Sequence, residues 1–381
     1  MSSRTNHYWR IAGFYFFYYA FVGMFAPYWS LYLKSLQFGS MSISILMAVQ
    51  PVMRMVAPGI WGWLAEHTGR RLFIIQMAAL GGVITYLGMF FTTQFVGVLL
   101  TMALMNFFWS ASMPLVEATA FSYLGKHSSR YGRIRSWGSV GFIVTVLGLG
   151  YAFDYIAIGW LLWAGFGIML GIVIFAYQIP HVETVVHHTD HLPIRDIMLQ
   201  PPVLALFGAC FLMAVAHGPY YAFYSIYLDD HGYAKSAVGL LWAVGVLCEI
   251  AVFFLMPWLM RHASLPRILA LSFACAVLRF LLIGWGVESL ALILLAQTLH
   301  AATFGSFHAA AVALVHHFFR GRHQSRGQAL FGSLTYGAGG MIGMLMSGPL
   351  WQHWGATVTY TVSALAALAG WLILRVRLRD I

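Results

Sequence analysis

Charge is what this chain has least of. Of its 381 residues only 8% are Asp, Glu, Lys or Arg, against roughly 25% in a soluble domain. With 61% apolar residues, too little polar surface is left to face water, and an ordinary soluble protein is excluded. Cysteine is nearly absent: Cys210, Cys248 and Cys275 fall singly in apolar runs, which rules out a disulfide framework and a clustered zinc site. No strand or Walker lysine accompanies Gly337, Gly339, Gly340 and Gly343, so those glycines point to close helix packing and not to phosphate binding. No nucleophile constellation stands at a membrane face, so neither an enzyme nor a cofactor is expected.

What is there is a succession of long apolar runs. The first, 11–33, carries no charge and lacks a small-residue cleavage site, so it reads as a span and not as a removable signal peptide. Breaks of polar, Gly and Pro residues then give twelve helices near 11–33, 43–64, 72–92, 96–123, 132–153, 157–178, 203–228, 236–260, 267–286, 289–318, 327–350 and 354–375. The expected fold is an all-α polytopic membrane protein made of two six-helix halves, 1–179 and 203–381, joined by a linker over 180–202. The linker histidines His181, His187, His188 and His191 lack ligand spacing on a rigid element and suggest no metal.

With twelve spans both termini share one side of the membrane. Of the 21 basic residues, the segmentation leaves 17 in the loops and tails of that side. Lys34 and Lys235 lie opposite, and Arg54 and Arg279 fall inside spans. By the positive-inside rule the termini are cytoplasmic, and the net charge of +10 is an orientation signal that needs no nucleic acid to explain it.

The halves echo each other 195 residues apart. Trp29-Ser-Leu-Tyr-Leu33 faces Tyr224-Ser-Ile-Tyr-Leu228, Leu46-Met-Ala-Val49 faces Leu241-Trp-Ala-Val244, and Arg54 faces Glu249. Trp137-Gly-Ser139 and Phe331-Gly-Ser333 echo at 194. A duplicated six-helix unit is what alternating access requires, because a site between related halves can open to either side.

Between spans two and three, Gly62-Trp-Leu-Ala-Glu66-His-Thr-Gly69-Arg70-Arg71 resembles the cytoplasmic gating loop of the major facilitator superfamily, with Glu66 where Asp is usual and a degenerate counterpart near Pro257 to Arg267. Val116-Glu117-Ala118 and Tyr131-Gly-Arg-Ile-Arg135-Ser-Trp-Gly-Ser-Val-Gly141 are similar to the lactose permease group of proton symporters. That resemblance implies substrate contact by Glu117 and Arg135, and puts Phe142 where the group has a ring that stacks on the sugar. Glu249, Arg279 and Thr298-Leu-His300 resemble the same group. Thr303 and Gln297 depart from it, standing where the group has its proton-carrying glutamate and a lysine. A likeness over nearly the whole chain, through Pro27-Tyr-Trp-Ser-Leu-Tyr-Leu-Lys34, Ala216-His-Gly-Pro-Tyr-Tyr221, Ser236-Ala-Val-Gly239 and Leu299-His-Ala-Ala-Thr-Phe304 with His308, is to the 3-phenylpropionate transporter family. It implies uptake of an aromatic carboxylic acid with protons, by a chain in the bacterial inner membrane.

Four strong charges sit well inside spans: Arg54, Glu117, Glu249 and Arg279, with Arg135 near the inner end of span five. Each costs at least about 2.5 kcal/mol at the bilayer centre on insertion scales, so each must pair or line water. The substrate-binding candidates are Glu117, Arg135, Phe142, Arg54, Arg279 and His217. Glu249, His300 and His308 are the candidates for proton coupling. The bland alternative is closed ion pairs, Arg54 with Glu249 or Glu117 with Arg135. Tyr15, Tyr18, Tyr19, Tyr220, Tyr221 and Tyr224 either stack on substrate or anchor the chain at the lipid interface. The expected partners are a small molecule, protons and lipid, with a monomer as the expected assembly. A sugar or nucleoside is the alternative cargo.

Overall fold

The computed structural model describes residues 2–124, 130–180 and 194–378. Lys126, Arg379 and the four linker histidines lie outside them. Every regular element among the described residues is helical, as a chain in lipid requires, since a helix satisfies its own backbone hydrogen bonds.

The spans are α1 (His7–Ser35), α2 (Ser40–Thr68), α3 (Arg71–Phe90), α4 (Phe95–Leu124), α5 (Tyr131–Phe153), α6 (Ile158–Ala176), α7 (Pro201–Asp230), α8 (Lys235–His262), α9 (Leu265–Trp285) and α10 (Leu290–Phe318). The last apolar segment, Gln324–Arg377, runs 54 residues, far more than the roughly 20 that cross a bilayer. It turns at Gly355, whose φ of 74° and ψ of −177° break the helical path. Its limbs, 324–354 and 356–377, are α11 and α12. The twelve spans expected from hydropathy are therefore all present. Several run a turn further than the apolar runs suggest, because polar ends such as Ser40 and Thr68 stay helical.

The chain divides into two compact units. One comprises Met1–Phe38, Val52–His187 and Ala234–Gly239, the other Gly39–Pro51, His188–Tyr233 and Leu240–Ile381. In the first, α1 packs on α5 and α6, and α3 on α4 and α6. The α1–α5 crossing is a backbone contact. A Cβ at Gly23 would lie 2.7 Å from the Phe142 carbonyl oxygen, and one at Gly141 would overlap that of Phe16. Tyr86 fixes α3 to α6 by donating to the Leu162 carbonyl at 3.1 Å. The six residues lent by α8 are held through Asp154, whose carboxylate accepts the Ser236 N–H at 3.2 Å.

The second unit repeats this plan. Gly218 of α7 meets the backbone of Gly343 and Met344 in α11, and Gly343 meets the Val215 carbonyl. That carbonyl lacks its helical donor because residue 219 is proline. Gly218 stands 195 residues after Gly23, so the internal repeat is also a repeat of its tightest contacts. Gly284 of α9 packs against Tyr360 of α12, where a Cβ would fall only 2.9 Å from the Tyr360 Cβ, as α3 packs on α6. Gly339 also abuts α7, where a Cβ would lie 2.8 Å from the Phe211 carbonyl oxygen, in line with the packing role expected for the glycines of span eleven.

Two segments inside the described spans widen from α to π geometry. Ala301–Ser306 in α10 and Gly332–Gly339 in α11 are π-helical turns, a form concentrated at functional sites.

Because Gly218 abuts backbone while Gly208 on the same helix faces open space, the two should respond oppositely to alanine. Gly218→Ala is expected to destabilise by about 1–3 kcal/mol and Gly208→Ala to be neutral or slightly stabilising, as measured by thermal unfolding in detergent.

Candidate substrate and proton site

The second unit holds a fully buried cation. Arg279 of α9 has no exposed surface, and its donors are distributed over neutral acceptors. Nε donates to the Ala296 carbonyl at 3.1 Å. One terminal nitrogen reaches Nε2 of His217 at 3.3 Å and Oγ1 of Thr303 at 3.4 Å. The other reaches Oε1 of Gln297 at 3.5 Å. The ring of Tyr220 covers the guanidinium at 4.2 Å, a cation–π contact that partly replaces lost hydration.

These bonds fix protonation states. Nδ1 of His217 lies 2.8 Å from the Met213 carbonyl, which can only accept, so Nδ1 carries the hydrogen. Arginine can only donate, so Nε2 is the lone pair facing Arg279. His217 is thereby held neutral, as an acceptor. It supports Arg279, where the sequence suggested direct contact with substrate.

Beside this cation lie the titratable groups expected for proton coupling. His300 Nε2 is 3.9 Å from Glu249 Oε2, within electrostatic reach but beyond a hydrogen bond. Glu249 keeps 18% of its side chain exposed and His300 only 7%. Gly305 in the α10 π turn leaves room for the Glu249 side chain, whose Cγ would sit 3.3 Å from a Cβ there. His300, Phe304 and His308 form a column of near-parallel rings with centroids 5.5 and 6.3 Å apart. An ideal α-helix would set His300 and His308 roughly 80° apart, and the wider π turn brings them nearer to one line. His308 Nδ1 bonds the Tyr336 hydroxyl at 2.8 Å, which joins the two π turns.

In the first unit, Glu117 of α4 accepts a hydrogen bond from Tyr131 at 2.6 Å, and the Tyr131 and Tyr15 hydroxyls lie 3.2 Å apart. Glu117 thus takes its bond from a phenol, while the Arg135 guanidinium lies 4.0 Å over the ring of Tyr19. Gly138 makes that placement possible, since a Cβ there would fall 2.5 Å from the Tyr19 ring. Phe142 is buried, with its backbone against Gly23. Arg54 is exposed, and its guanidinium lies 5.6 Å from the Trp109 ring, on which Tyr18 stacks at 4.4 Å and 7°. Tyr15, Tyr18, Tyr220 and Tyr224 are all buried, so these four belong to the helix interior and not to a lipid-facing belt.

The loop between α2 and α3, read from the sequence as a gating loop, has a local logic of its own. Gly69 adopts φ 64°, and its N–H donates to the Ala65 carbonyl at 3.1 Å, closing α2 with a left-handed cap that favours glycine. Gly62 meets nothing, while Glu66 and Arg70 are exposed and Arg71 begins α3. Trp63 stacks on His67 with centroids 5.2 Å apart. The counterpart that looked degenerate keeps this pair 195 residues on, where Trp258 stacks on His262 at 4.5 Å.

Sequence reasoning did not single out Tyr131, Gln297, Thr303, Trp109 or Tyr336 as site residues. Gln297 and Thr303 stand where the resembling group has charged residues and flank His300 by three residues each, but as neutral side chains they are read as departures and not as site residues. The others meet their partners only through tertiary packing.

Twelve apolar helices in two related units, with Arg279 buried and Glu249 mostly enclosed between helices, are the architecture of an integral-membrane transporter. The chain matches the MFS_1 like family over residues 8–362 and belongs to it, within the major facilitator group. It is 29% identical over 358 residues to the probable 3-phenylpropionic acid transporter of Escherichia coli strain K12, covering 93% of both chains. It is 24% identical over 370 residues to the maltose permease of Geobacillus stearothermophilus, covering 95% of this chain and 92% of that one. The crystal structure of the nucleoside transporter NupG superposes with a TM-score of 0.85 over 99% of this chain and all of the other, at 15% identity, a likeness of fold. These relatives are transporters, and this chain is a transporter and not an enzyme.

If His217 supports Arg279 as an acceptor, His217→Leu should lower stability by about 1–3 kcal/mol, the penalty for an unmet buried donor. His217→Gln, whose amide oxygen can take the same bond, should recover most of it. Thermal unfolding of the purified variants compares the two.

Proposed function

We propose that the chain imports an aromatic carboxylic acid, such as 3-phenylpropionate, together with protons by alternating access. The membrane in this reading is the bacterial inner membrane, with both termini cytoplasmic. The observation that carries the reading is the Glu249–His300 pair at 3.9 Å beside an Arg279 whose hydrogen-bond partners are all neutral.

The coupling follows from charge balance. With Glu249 ionised, the positive charge of Arg279 has a nearby counterion. A proton arriving on Glu249, with His300 sharing its path, removes that counterion and leaves the cluster one unit more positive. Unit charges several Å apart at an effective dielectric of ~20 interact by a few kcal/mol, so the protonated cluster holds a carboxylate more tightly. Proton and acid then favour each other's binding, and by linkage the preference is mutual. Arg54, Arg135, Glu117 and Phe142 of the first unit are further substrate-binding candidates in this reading. The Gly62-to-Arg71 loop gates.

The hydroxyl-rich set of Tyr15, Tyr131 and Glu117 favours the second reading, a sugar or nucleoside as cargo. The E. coli relative's name favours the acid.

Proteoliposomes loaded at alkaline pH and diluted into acidic buffer should accumulate labelled 3-phenylpropionate, and an ionophore that collapses the gradient should stop it. Accumulation of a galactoside or nucleoside in place of the acid would overturn the substrate assignment. Glu249→Gln should abolish uphill accumulation while preserving exchange, and unchanged accumulation by that variant would sink the proton role.

A further inference from the structure

Gln297 has no exposed surface, and its two ends have different fates. Because arginine only donates, the atom facing Arg279 at 3.5 Å must be the amide oxygen. The same oxygen receives the Tyr220 hydroxyl at 3.2 Å. The amide nitrogen therefore points away and is buried without a hydrogen-bond partner. Flipping the amide would set N–H against N–H at Arg279, so the assignment is forced by chemistry. The hydroxyl of Tyr360, in the same unit, is likewise buried and unpartnered.

Arginine has five N–H donors. Nε–H goes to Ala296, two more to His217 and Thr303, and a fourth to Gln297, which leaves one on the nitrogen next to Gln297. A cation with one N–H beyond these four acceptors and a carboxamide nitrogen that can only donate leave donors in excess around a positive charge. Unsatisfied buried groups are destabilising by about 1–3 kcal/mol each, and a single anionic guest with several lone pairs would satisfy them together. A cation or an apolar guest would not. Tyr220 both covers the guanidinium and bonds the Gln297 oxygen, so it is one ring that a guest reaching both groups would have to displace.

We propose that Gln297 is a second ligand of the substrate carboxylate, donating from Nε2 beside the open N–H of Arg279, in a site that Tyr220 uncovers. This rests on the reading of the cargo as an aromatic acid. The carboxylate oxygens are held one by Arg279 and one by Gln297, in place of a two-pronged arginine clamp, because His217, Thr303 and Ala296 already occupy the rest of the fork.

The test is the ratio of affinities for 3-phenylpropionate and its uncharged amide, from competition binding to the purified full chain in nanodiscs. Gln297→Leu should lower the acid-to-amide ratio about tenfold or more. Gln297→Glu should lower it further, because the new carboxylate pairs with Arg279 and repels the acid. Should Gln297→Leu fail to fold, Gln297→Glu, nearly equal in size, decides alone. Tyr220→Ala should retain acid binding. Arg279→Gln separates the two levels of the claim. If it leaves the ratio unchanged, the acid reading itself fails. If it collapses the ratio while both Gln297 variants match wild type, the assignment of Gln297 is overturned and the reading survives.

Discussion

A guanidinium cannot give up its proton inside a protein, so Arg279 brings a permanent positive charge into the interior of the second unit. There it has no exposed surface. Everything around it follows from that constraint. Its neighbours must present lone pairs, which dictates the tautomer of His217 and the orientation of Gln297. Its exposed face must be covered by something polarisable, and Tyr220 supplies a π surface at 4.2 Å. Its charge must be offset at longer range, and Glu249 behind His300 is the group able to do so. Each of those neighbours is then primed for a role that an apolar core residue would not have.

The scaffold that holds this charge is built by backbone contact. In lipid the helices gain nothing by hiding apolar surface from one another, so close approach through small residues supplies the packing energy. Gly23 and Gly141 do this for α1 and α5, and Gly218 with Gly343 for α7 and α11. A backbone contact leaves little freedom to slide, which gives α7 a fixed register. His217 and Tyr220 sit within two residues of Gly218, so the tightest joint of the unit is also what aims them at Arg279.

The architecture was legible because lipid imposes a simple code, in which apolar length counts the spans. The turn at Gly355 was legible for the same reason, as a polar and glycine break between apolar runs. Arg279, Glu249 and His300 were legible too, since any ionisable residue in a span stands out against a chain with so little charge. Their partners were not. Gln297, Thr303 and Tyr131 are ordinary neutral residues whose importance arises only when helices bring them to a charge. The role of His217 was legible as to place and not as to sense. The sequence marks a titratable ring, while only the Met213 carbonyl and the Arg279 guanidinium on either side show that it accepts. The π turn after His300 has no sequence signature, and it is what lines up three rings that an α-helix would fan apart.

Duplication explains why the two units resemble each other in backbone and differ in chemistry. The contacts that repeat, Gly23 with Gly218 and the Trp63–His67 pair with Trp258–His262, are structural and depend on spacing alone. The charges do not repeat: Arg54 is exposed, while Glu249, 195 residues later, is mostly enclosed beside His300. Under the proposed coupling of proton and cargo, this asymmetry has a use. If both units carried the same titratable cluster, each proton bound would be matched by a second of similar affinity, and nothing would distinguish the site that loads the proton from the one that grips the cargo. Keeping the helix joints and replacing the side chains between them separates those tasks without a new fold, and places the buried cation in the unit that also holds its titratable counterion.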